Sequence, residues 1–228
     1  MPVISIRLGG ERGFTLIETL VAMVTGLVVV SAAFTILEVS LRQSTRIADR
    51  VSADQRGRVG LEKILQELHS SCVSNGANPI QEKSSATKLI FESHSGSSEP
   101  FFTNGVRHEI ILEGTTLNDN IYQSNGGVEG RWLFPTTPTK TVVLMTNVYA
   151  PSSGSMFEYF KYTKTALTTA QTGELTKAEA KATAKVNVNF SAAPDSNNTA
   201  TGRPVAYSGG AVLRLTPASE VGGNEPCE

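Results

Sequence analysis

The residues with the clearest chemical potential lie close together near the amino terminus: Gly13, Phe14 and Glu18. Glu18 is a carboxylate at the leading edge of an apolar segment. A charge costs about 2.5–3.5 kcal/mol at the centre of a membrane helix and less near the interface. An ionisable residue in such a position is a functional hypothesis by default, and its partner has to be identified. No cation lies nearby on the same helix face, since Arg12 precedes the segment. The simpler alternative is a Glu18 that extends to the lipid headgroups.

Candidate catalytic and metal-binding residues are sparse in the rest of the chain. It has 3 histidines and 2 cysteines, without H-x-x-x-H or C-x-x-C spacing: His69, His94, His108, Cys72 and Cys227. No G-x-S-x-G, P-loop or dinucleotide fingerprint occurs. The run Asn118-Asp119-Asn120 has calcium-chelating side chains but lacks the rest of a calcium loop, so a turn is the better interpretation. We therefore predict that the protein is not an enzyme and has no cofactor and no metal site.

The segment that follows Glu18 has the length and composition of a membrane helix. From Thr19 to Leu37 it has no charge, and its few polar side chains are small hydroxyls. Such a helix is ~28 Å long, close to the ~30 Å hydrocarbon core of a bilayer. A buried helix of a soluble protein is one alternative. A secretory signal peptide is another, but its apolar stretch would be about 7–15 residues, and Ser31-Ala32-Ala33 is only a weak cleavage site.

The run Gly13-Phe14-Thr15-Leu16-Ile17-Glu18, followed by Thr19-Leu20-Val21-Ala22-Met23, resembles the prepilin signal of type IV pilins and type II secretion pseudopilins. The resemblance covers about the first 30 residues. It implies that a prepilin peptidase cleaves between Gly13 and Phe14 and then methylates the new amino group of Phe14. It also implies that Glu18 attracts the terminal amine of a neighbouring subunit during assembly.

Elementary chemistry is consistent with each of these implied roles. A glycine before the cleaved bond leaves room for a protease to approach the backbone. A free α-amine is cationic at neutral pH, so its pairing with Glu18 would offset the cost of both charges in lipid.

The positive-inside rule gives no clear membrane orientation, because Arg7 and Arg12 precede the segment while Arg42, Arg46 and Arg50 follow it. The orientation with the leader in the cytoplasm is what the resemblance implies.

The helix is predicted to continue beyond the bilayer, from Phe14 to about Ser70, because residues 38–71 are rich in helix formers and lack proline. An apolar stripe at three- and four-residue steps should face a globular domain: Ile47, Val51, Leu61, Ile64, Leu65 and Leu68. Charged residues four apart line another face, and Glu38–Arg42 and Arg50–Asp54 are expected pairs. The basic centre of this face could meet lipid headgroups or neighbouring subunits, and a solvated helix face is the alternative.

Beyond a turn cluster at residues 75–79, short β-like runs alternate with Gly, Pro, Asn and Ser. Residues 141–145 appear buried on both faces, whereas residues 185–190 alternate like a half-buried strand. A short helix over residues 175–180 should be capped by Thr176. The predicted strands are Lys88–Ser93, Arg107–Glu113, Asn120–Gln123, Arg131–Phe134, Thr141–Thr146, Phe157–Thr163, Lys185–Ser191 and Ala211–Thr216. Their spacing favours an antiparallel sheet over βαβ units.

The predicted fold class is therefore α+β, with a long amino-terminal helix, membrane-spanning in its first half, packed on a mostly antiparallel sheet. This is the pilin-like architecture that the resemblance implies, with a leader at 1–13, a membrane half at 14–37, an amphipathic half at 38–72 and a β-rich domain at 73–228. Residues 55–68, the run Phe157-Glu158-Tyr159-Phe160 and the run Val212-Leu213-Arg214-Leu215 resemble minor subunits of the PilW or pseudopilin J type.

Composition and cysteine content fit a domain outside the cytoplasm. Lys+Arg of 20 against Asp+Glu of 21 leaves the chain near neutral, with no strong signal for nucleic acid, which stays an open partner. Past the membrane, Cys72 and Cys227 would meet an oxidising environment, where a disulfide persists. Such a bridge would contribute at most about 5 kcal/mol through loop-closure entropy. Two free thiols are the alternative.

Two functional hypotheses follow from these observations. The first is a minor pilin or pseudopilin, which assembles with other pilin subunits, a prepilin peptidase and an inner-membrane assembly platform. The expected location is the inner membrane, in a single pass with the globular domain outside the cytoplasm, and then a surface or periplasmic filament. The second is a tip subunit that binds DNA, a surface or a secreted substrate. A singly anchored receptor unrelated to pili is a third, less favoured possibility.

Overall fold

The computed structural model describes residues 13–71, 78–94, 105–128, 131–162, 167–169, 173–194 and 204–213. Its first element is helix α1, Leu16–His69, which matches the predicted span. The chain divides into two compact units, residues 1–47 and residues 48–228.

The first unit contains the apolar part of α1. Every described residue from 13 to 47 is exposed within the chain. An 18-residue window of the helix reaches a mean hydropathy of 2.5 with 0% of it buried, so it is long and apolar enough to cross a membrane by length and composition. Large side chains such as Leu27, 69% exposed, and Phe34, 66% exposed, have no covering partner among the described residues. Lipid or other subunits would remove this apolar surface from water.

The second unit is an α+β domain in which every strand pairing is antiparallel. One sheet has the order β1-β2-β3-β6, the second has the order β11-β10-β8-β9 with β7 also on β10, and β4 and β5 form a hairpin. The strands are β1 Lys88–His94, β2 Gly105–Glu113, β3 Thr116–Gln123, β4 Gly127–Val128, β5 Arg131–Trp132, β6 Lys140–Met145, β7 Val148–Tyr149, β8 Phe157–Tyr162, β9 Leu167–Thr169, β10 Thr183–Ala192 and β11 Val205–Val212. Helix α2 is Lys177–Ala182.

All eight predicted runs overlap an observed strand, but several boundaries differ. Strand β3 begins four residues before the predicted Asn120, and β11 begins six residues before the predicted Ala211. Strand β10 shows the predicted alternation: Val186, Val188 and Phe190 are buried and the residues between them are half-buried. The short helix α2 is preceded by Thr176, whose backbone N–H donates to the Glu179 carboxylate at 3.0 Å, so the predicted cap is present.

The prediction that residues 141–145 are buried on both faces is wrong. Strand β6 is an edge strand, and Val143 is 58% exposed while only Met145 is fully buried. A run of apolar letters does not distinguish a central strand from an edge strand, because the difference lies in the neighbours that the strand acquires. The prediction for β6 therefore gave its location correctly and its environment incorrectly.

The helix face that packs on the sheets is also different from the predicted stripe. The buried helix residues are Ala53, Gly57, Gly60, Ile64 and Leu68. Of the predicted stripe, Ile64 and Leu68 are buried, Leu61 and Leu65 are partly buried, and Ile47 and Val51 are 62% and 49% exposed. The reason is close approach: small residues let bulky sheet side chains reach the helix backbone. A Cβ on Gly57 would lie 2.3 Å from Cε2 of Tyr207, and one on Gly60 would lie 2.1 Å from Sδ of Met145.

Candidate functional site

The candidate processing site lies at the start of α1, and its residues are exposed. Phe14 is 78% exposed. A Cβ built on Gly13 would meet nothing within 4 Å, and the backbone there is not in the left-handed region. The described residues therefore give no steric reason for glycine at position 13.

Thr15 caps the helix, a role that sequence analysis missed. Its Oγ1 accepts a hydrogen bond from the backbone N–H of Glu18 at 3.3 Å, and its carbonyl oxygen accepts from the same N–H at 3.0 Å. Thr15 is the residue just before the helix and Glu18 is its third residue, which is the spacing of a capping box. The signal was visible in the sequence as Thr-x-x-Glu. The carboxylate of Glu18 is also in the first turn, where the helix dipole favours negative charge.

The Glu18 carboxylate itself has no partner in the part of the chain that the structure describes. No hydrogen bond or ion pair to its side-chain oxygens is formed there, and the residue is exposed within the chain. The helix-capping contact uses the backbone N–H of Glu18 and leaves both carboxylate oxygens free to accept other donors. Position 18 therefore presents a carboxylate at the edge of an apolar segment, with no described residue to neutralise it.

The three threonine hydroxyls within the apolar segment are satisfied by the helix itself. Thr19 donates to the carbonyl oxygen of Thr15 at 3.1 Å, Thr25 donates to that of Val21 at 2.9 Å, and Thr35 donates to that of Ser31 at 2.9 Å. These local bonds lower the cost of placing hydroxyls in lipid. Glu18 is the only ionisable side chain of residues 14–37, and no described residue contacts its carboxylate oxygens.

The charged face of α1 is organised partly as predicted. Arg42 pairs with Glu38, four residues earlier. Asp54 pairs with Arg58 at 3.0 Å rather than with Arg50, and it also accepts a hydrogen bond from the Tyr207 hydroxyl at 2.8 Å. This bond from β11 holds the Asp54 carboxylate near the sheet. Among the described residues neither Arg46 nor Arg50 forms an ion pair, so both present exposed positive charge.

Two buried polar pairs join the strands of the first sheet, and sequence analysis missed both. Nδ1 of His108 lies 3.0 Å from Oδ2 of Asp119, and the imidazole stacks on Phe91 with ring centroids 5.0 Å apart. Nη2 of Arg107 donates to Oε1 of Glu92 at 2.9 Å. Burial raises the pKa of Glu92, and the hydrogen bond and charge of Arg107 oppose that rise.

These pairs fit a structural role. Each links residues on adjacent strands: Arg107 lies directly opposite Glu92 on β1, and His108 lies diagonally across from Asp119 on β3. Each pair therefore satisfies polar groups that the sheet buries. The described residues contain no group of three or more His, Cys, Asp or Glu side chains suited to a metal ion. Both cysteines of the predicted disulfide, Cys72 and Cys227, lie outside the described residues, so that pairing stays a prediction.

Known proteins provide no family for this chain: no protein-family model matches it, and neither a curated protein nor a solved structure matches it. The evidence for a function therefore comes from residues 12–37 and from the chemistry of the second unit.

Proposed function

We propose that this chain is a minor pilin or pseudopilin, a structural subunit of a type IV pilus-like filament that a prepilin peptidase processes. The observation that carries the proposal is that the Glu18 carboxylate has no partner among the described residues, at the edge of an apolar helix segment whose threonine hydroxyls bond to the helix itself. A group that is costly to bury and has no partner among the described residues is best explained by a partner in another chain. The terminal amine of a processed neighbour has the required charge.

Gly13 supports the same proposal independently. The fold leaves open space around this residue and imposes no left-handed backbone on it. An external requirement, such as the narrow backbone-binding groove of a peptidase, would explain a glycine that the folded chain does not need. In the proposal, cleavage after Gly13 gives Phe14 a free amine, which then carries the positive charge that Glu18 lacks.

The apolar helix surface supports assembly in a membrane. Side chains from Leu16 to Leu41 remain exposed, including Leu16 at 84% and Leu41 at 60%. In the proposal, lipid covers this surface before assembly and the helices of neighbouring subunits cover it afterwards. The pairing of Glu18 with a neighbour's amine would fix the axial position of one helix against the next, because an apolar surface alone is tolerant of sliding.

Replacement of Glu18 by Gln tests the proposal. Glutamine is also a capping-box residue, so Glu18→Gln keeps the helix start while it removes the charge. We expect the variant to be inserted into the membrane and processed normally but to be depleted from sheared filaments. The matched control is Glu38→Gln, which removes a carboxylate that is already paired with Arg42 on the same helix. Equal recovery of Glu18→Gln and wild-type protein in filaments would refute the pairing.

A second candidate function, a ligand-binding tip subunit, is favoured by one specific observation. The outer face of the second sheet carries an open cavity of about 290 Å³, lined by both polar and apolar side chains, between strands β8, β10 and β11 and the loop that precedes β8. Structural subunits do not require such a cavity. The two functions are compatible, because a tip subunit also belongs to the filament.

A further inference from the structure

The cavity on the outer face of the second sheet is rich in hydroxyl groups. Strand β10 directs Val186, Val188 and Phe190 into the core, so its alternate residues face outward. The cavity is formed where the loop before β8 folds over these outward residues. Part of its lining is apolar, from Pro151, Phe190, Ala206 and the ring of Tyr207. The polar part comes from Ser153, Ser155, Glu158, Asn189, Ser191 and Ser208.

Asn189 holds the two walls of the cavity in place. Its Nδ2 donates to the carbonyl oxygen of Ser155 at 3.5 Å, and its Oδ1 accepts from the Ser208 hydroxyl at 2.7 Å. Its backbone N–H donates to the carbonyl oxygen of Met156 at 2.7 Å. Asn189 therefore connects strand β10 to the loop before β8 and to strand β11, so the cavity is already formed without a ligand.

Glu158 supplies the only formal charge among the lining residues. Its carboxylate forms no hydrogen bond or ion pair with any residue that the structure describes, although the residue is half-buried. Since no lysine, arginine or histidine lines the cavity, an anionic ligand would meet repulsion and no counter-charge. The ligand must therefore bring hydrogen-bond donors to Glu158.

Two ligand classes bring such donors, and the rest of the lining distinguishes between them. A primary ammonium donates only, so it would offer no acceptor to the hydroxyls of Ser153, Ser155 and Ser191, whereas the Ser208 hydroxyl already donates to Asn189. The side chain of Lys185, which lies over Phe160 at 5.7 Å from the ring centroid, places a cation on the same outer face as Glu158. A neutral polyol both donates and accepts hydrogen bonds at every hydroxyl, and it has no charge for the Lys185 ammonium to repel.

We propose that this cavity binds a neutral saccharide, with Glu158 accepting hydrogen bonds from two adjacent sugar hydroxyls and the serine hydroxyls exchanging donor and acceptor roles with the others. A carboxylate has two oxygens and accepts from paired donors, which suits vicinal hydroxyls. The volume of about 290 Å³ lies at the small end of ligand sites, which suits one sugar ring rather than a long chain. The proposal extends the second candidate function and does not require processing or filament assembly.

The test uses the full chain in a detergent without a sugar headgroup. Saturation-transfer difference NMR is recorded with glucose, galactose, mannose and N-acetylglucosamine, each at about 10 mM, which occupies a site of millimolar affinity. Methylammonium and acetate are the cationic and anionic probes, because the methyl protons of both report saturation transfer. We expect transfer to at least one saccharide and to neither ion.

Variants assign the signal to the cavity. Glu158→Ala should weaken saccharide affinity about tenfold, the loss typical of a charged hydrogen-bonding group. Ser153→Ala, in the exposed loop, should weaken it less, and it provides a second reading if Glu158→Ala does not fold. Glu113→Ala is the matched control, because Glu113 is an exposed glutamate on the other sheet.

Several results would overturn the proposal: no transfer to any of the four sugars, transfer to methylammonium instead, or saccharide binding that both cavity variants leave unchanged. Because the assay reads binding by single chains, failure here leaves the filament proposal intact. Conversely, a normal saccharide signal from protein that keeps its leader in a host with an active prepilin peptidase would leave the cavity assigned and the filament proposal refuted.

Discussion

Gly57→Ala should destabilise the second unit, although alanine is the better helix former. The added Cβ would lie 2.3 Å from Cε2, 2.5 Å from Cζ and 2.9 Å from Cδ2 of Tyr207. The ring cannot move away freely, because its hydroxyl donates to Asp54 at 2.8 Å, one helical turn before Gly57. The close approach of β11 to α1 therefore depends on the missing side chain.

The expected magnitude combines opposing effects. Overpacking costs about 1–3 kcal/mol, and loss of a hydrogen bond to a carboxylate costs about 1.5–3 kcal/mol if the ring has to swing away. Alanine returns about 1 kcal/mol of helix propensity relative to glycine. We expect a net decrease of about 2 kcal/mol in the free energy of unfolding, or about 4–8 °C in Tm for a domain of this size.

The assay is urea denaturation of the full chain in detergent, followed by the fluorescence of the single tryptophan. Trp132 is 8% exposed and lies in the second unit, so its emission reports unfolding there. Gly26→Ala is the control on the same helix, since a Cβ at that position meets nothing within 4 Å. The double variant Gly57→Ala/Tyr207→Ala should be less destabilised than the sum of the single variants by about 1 kcal/mol or more. An unchanged or higher urea midpoint for Gly57→Ala would refute the packing argument.

Three further predictions concern pH, a buried ion pair and processing. Burial and the hydrogen bond to Asp54 raise the pKa of Tyr207 to about 12. Because this pKa is higher in the folded than in the unfolded state, the stability that neutral Tyr207 contributes is complete below about pH 10 and is lost as pH rises through about 12. Denaturation midpoints between pH 9 and 12 should therefore fall more steeply for wild type than for Tyr207→Phe. Arg107→Leu should lower the free energy of unfolding by about 3 kcal/mol because it leaves Glu92 buried without a cation. In urea titrations, the double variant Arg107→Leu/Glu92→Gln should recover part of that loss. No recovery would show that the loss of stability is steric. Gly13→Val should leave the leader attached in a host with an active prepilin peptidase, as read by intact mass, and a normally shortened chain would argue against recognition of the glycine.

The amino-terminal features were predictable from sequence because they are local. The apolar segment, its internal hydroxyl bonds and the isolated Glu18 depend on neighbours within one or two helical turns. Strand β10 was predictable for the same reason, since apolar and polar residues alternate along its own sequence. The Thr15 cap was equally local, and the Thr-x-x-Glu spacing would have revealed it.

Features that depend on register and close approach were not predictable. Asp119 lies beside His108 because β3 pairs with β2 in a register that places Asp119 opposite Ile110 and Ile121 opposite His108. Nothing in either strand's own sequence gives that register. Likewise, the packing face of α1 was assigned to large apolar residues, whereas Gly57 and Gly60 admit Tyr207 and Met145 from the sheets. A glycine contributes nothing to an apolar pattern, so its role in packing appears only in three dimensions.

The most direct test of the central proposal is the amino-terminal mass of the protein purified from membranes of a host with an active prepilin peptidase. The filament proposal predicts a chain that begins at Phe14 and carries one methyl group on its terminal nitrogen. A chain that retains residues 1–13 in that host would contradict the proposal, and a singly anchored protein with a β-rich domain would then be the better description.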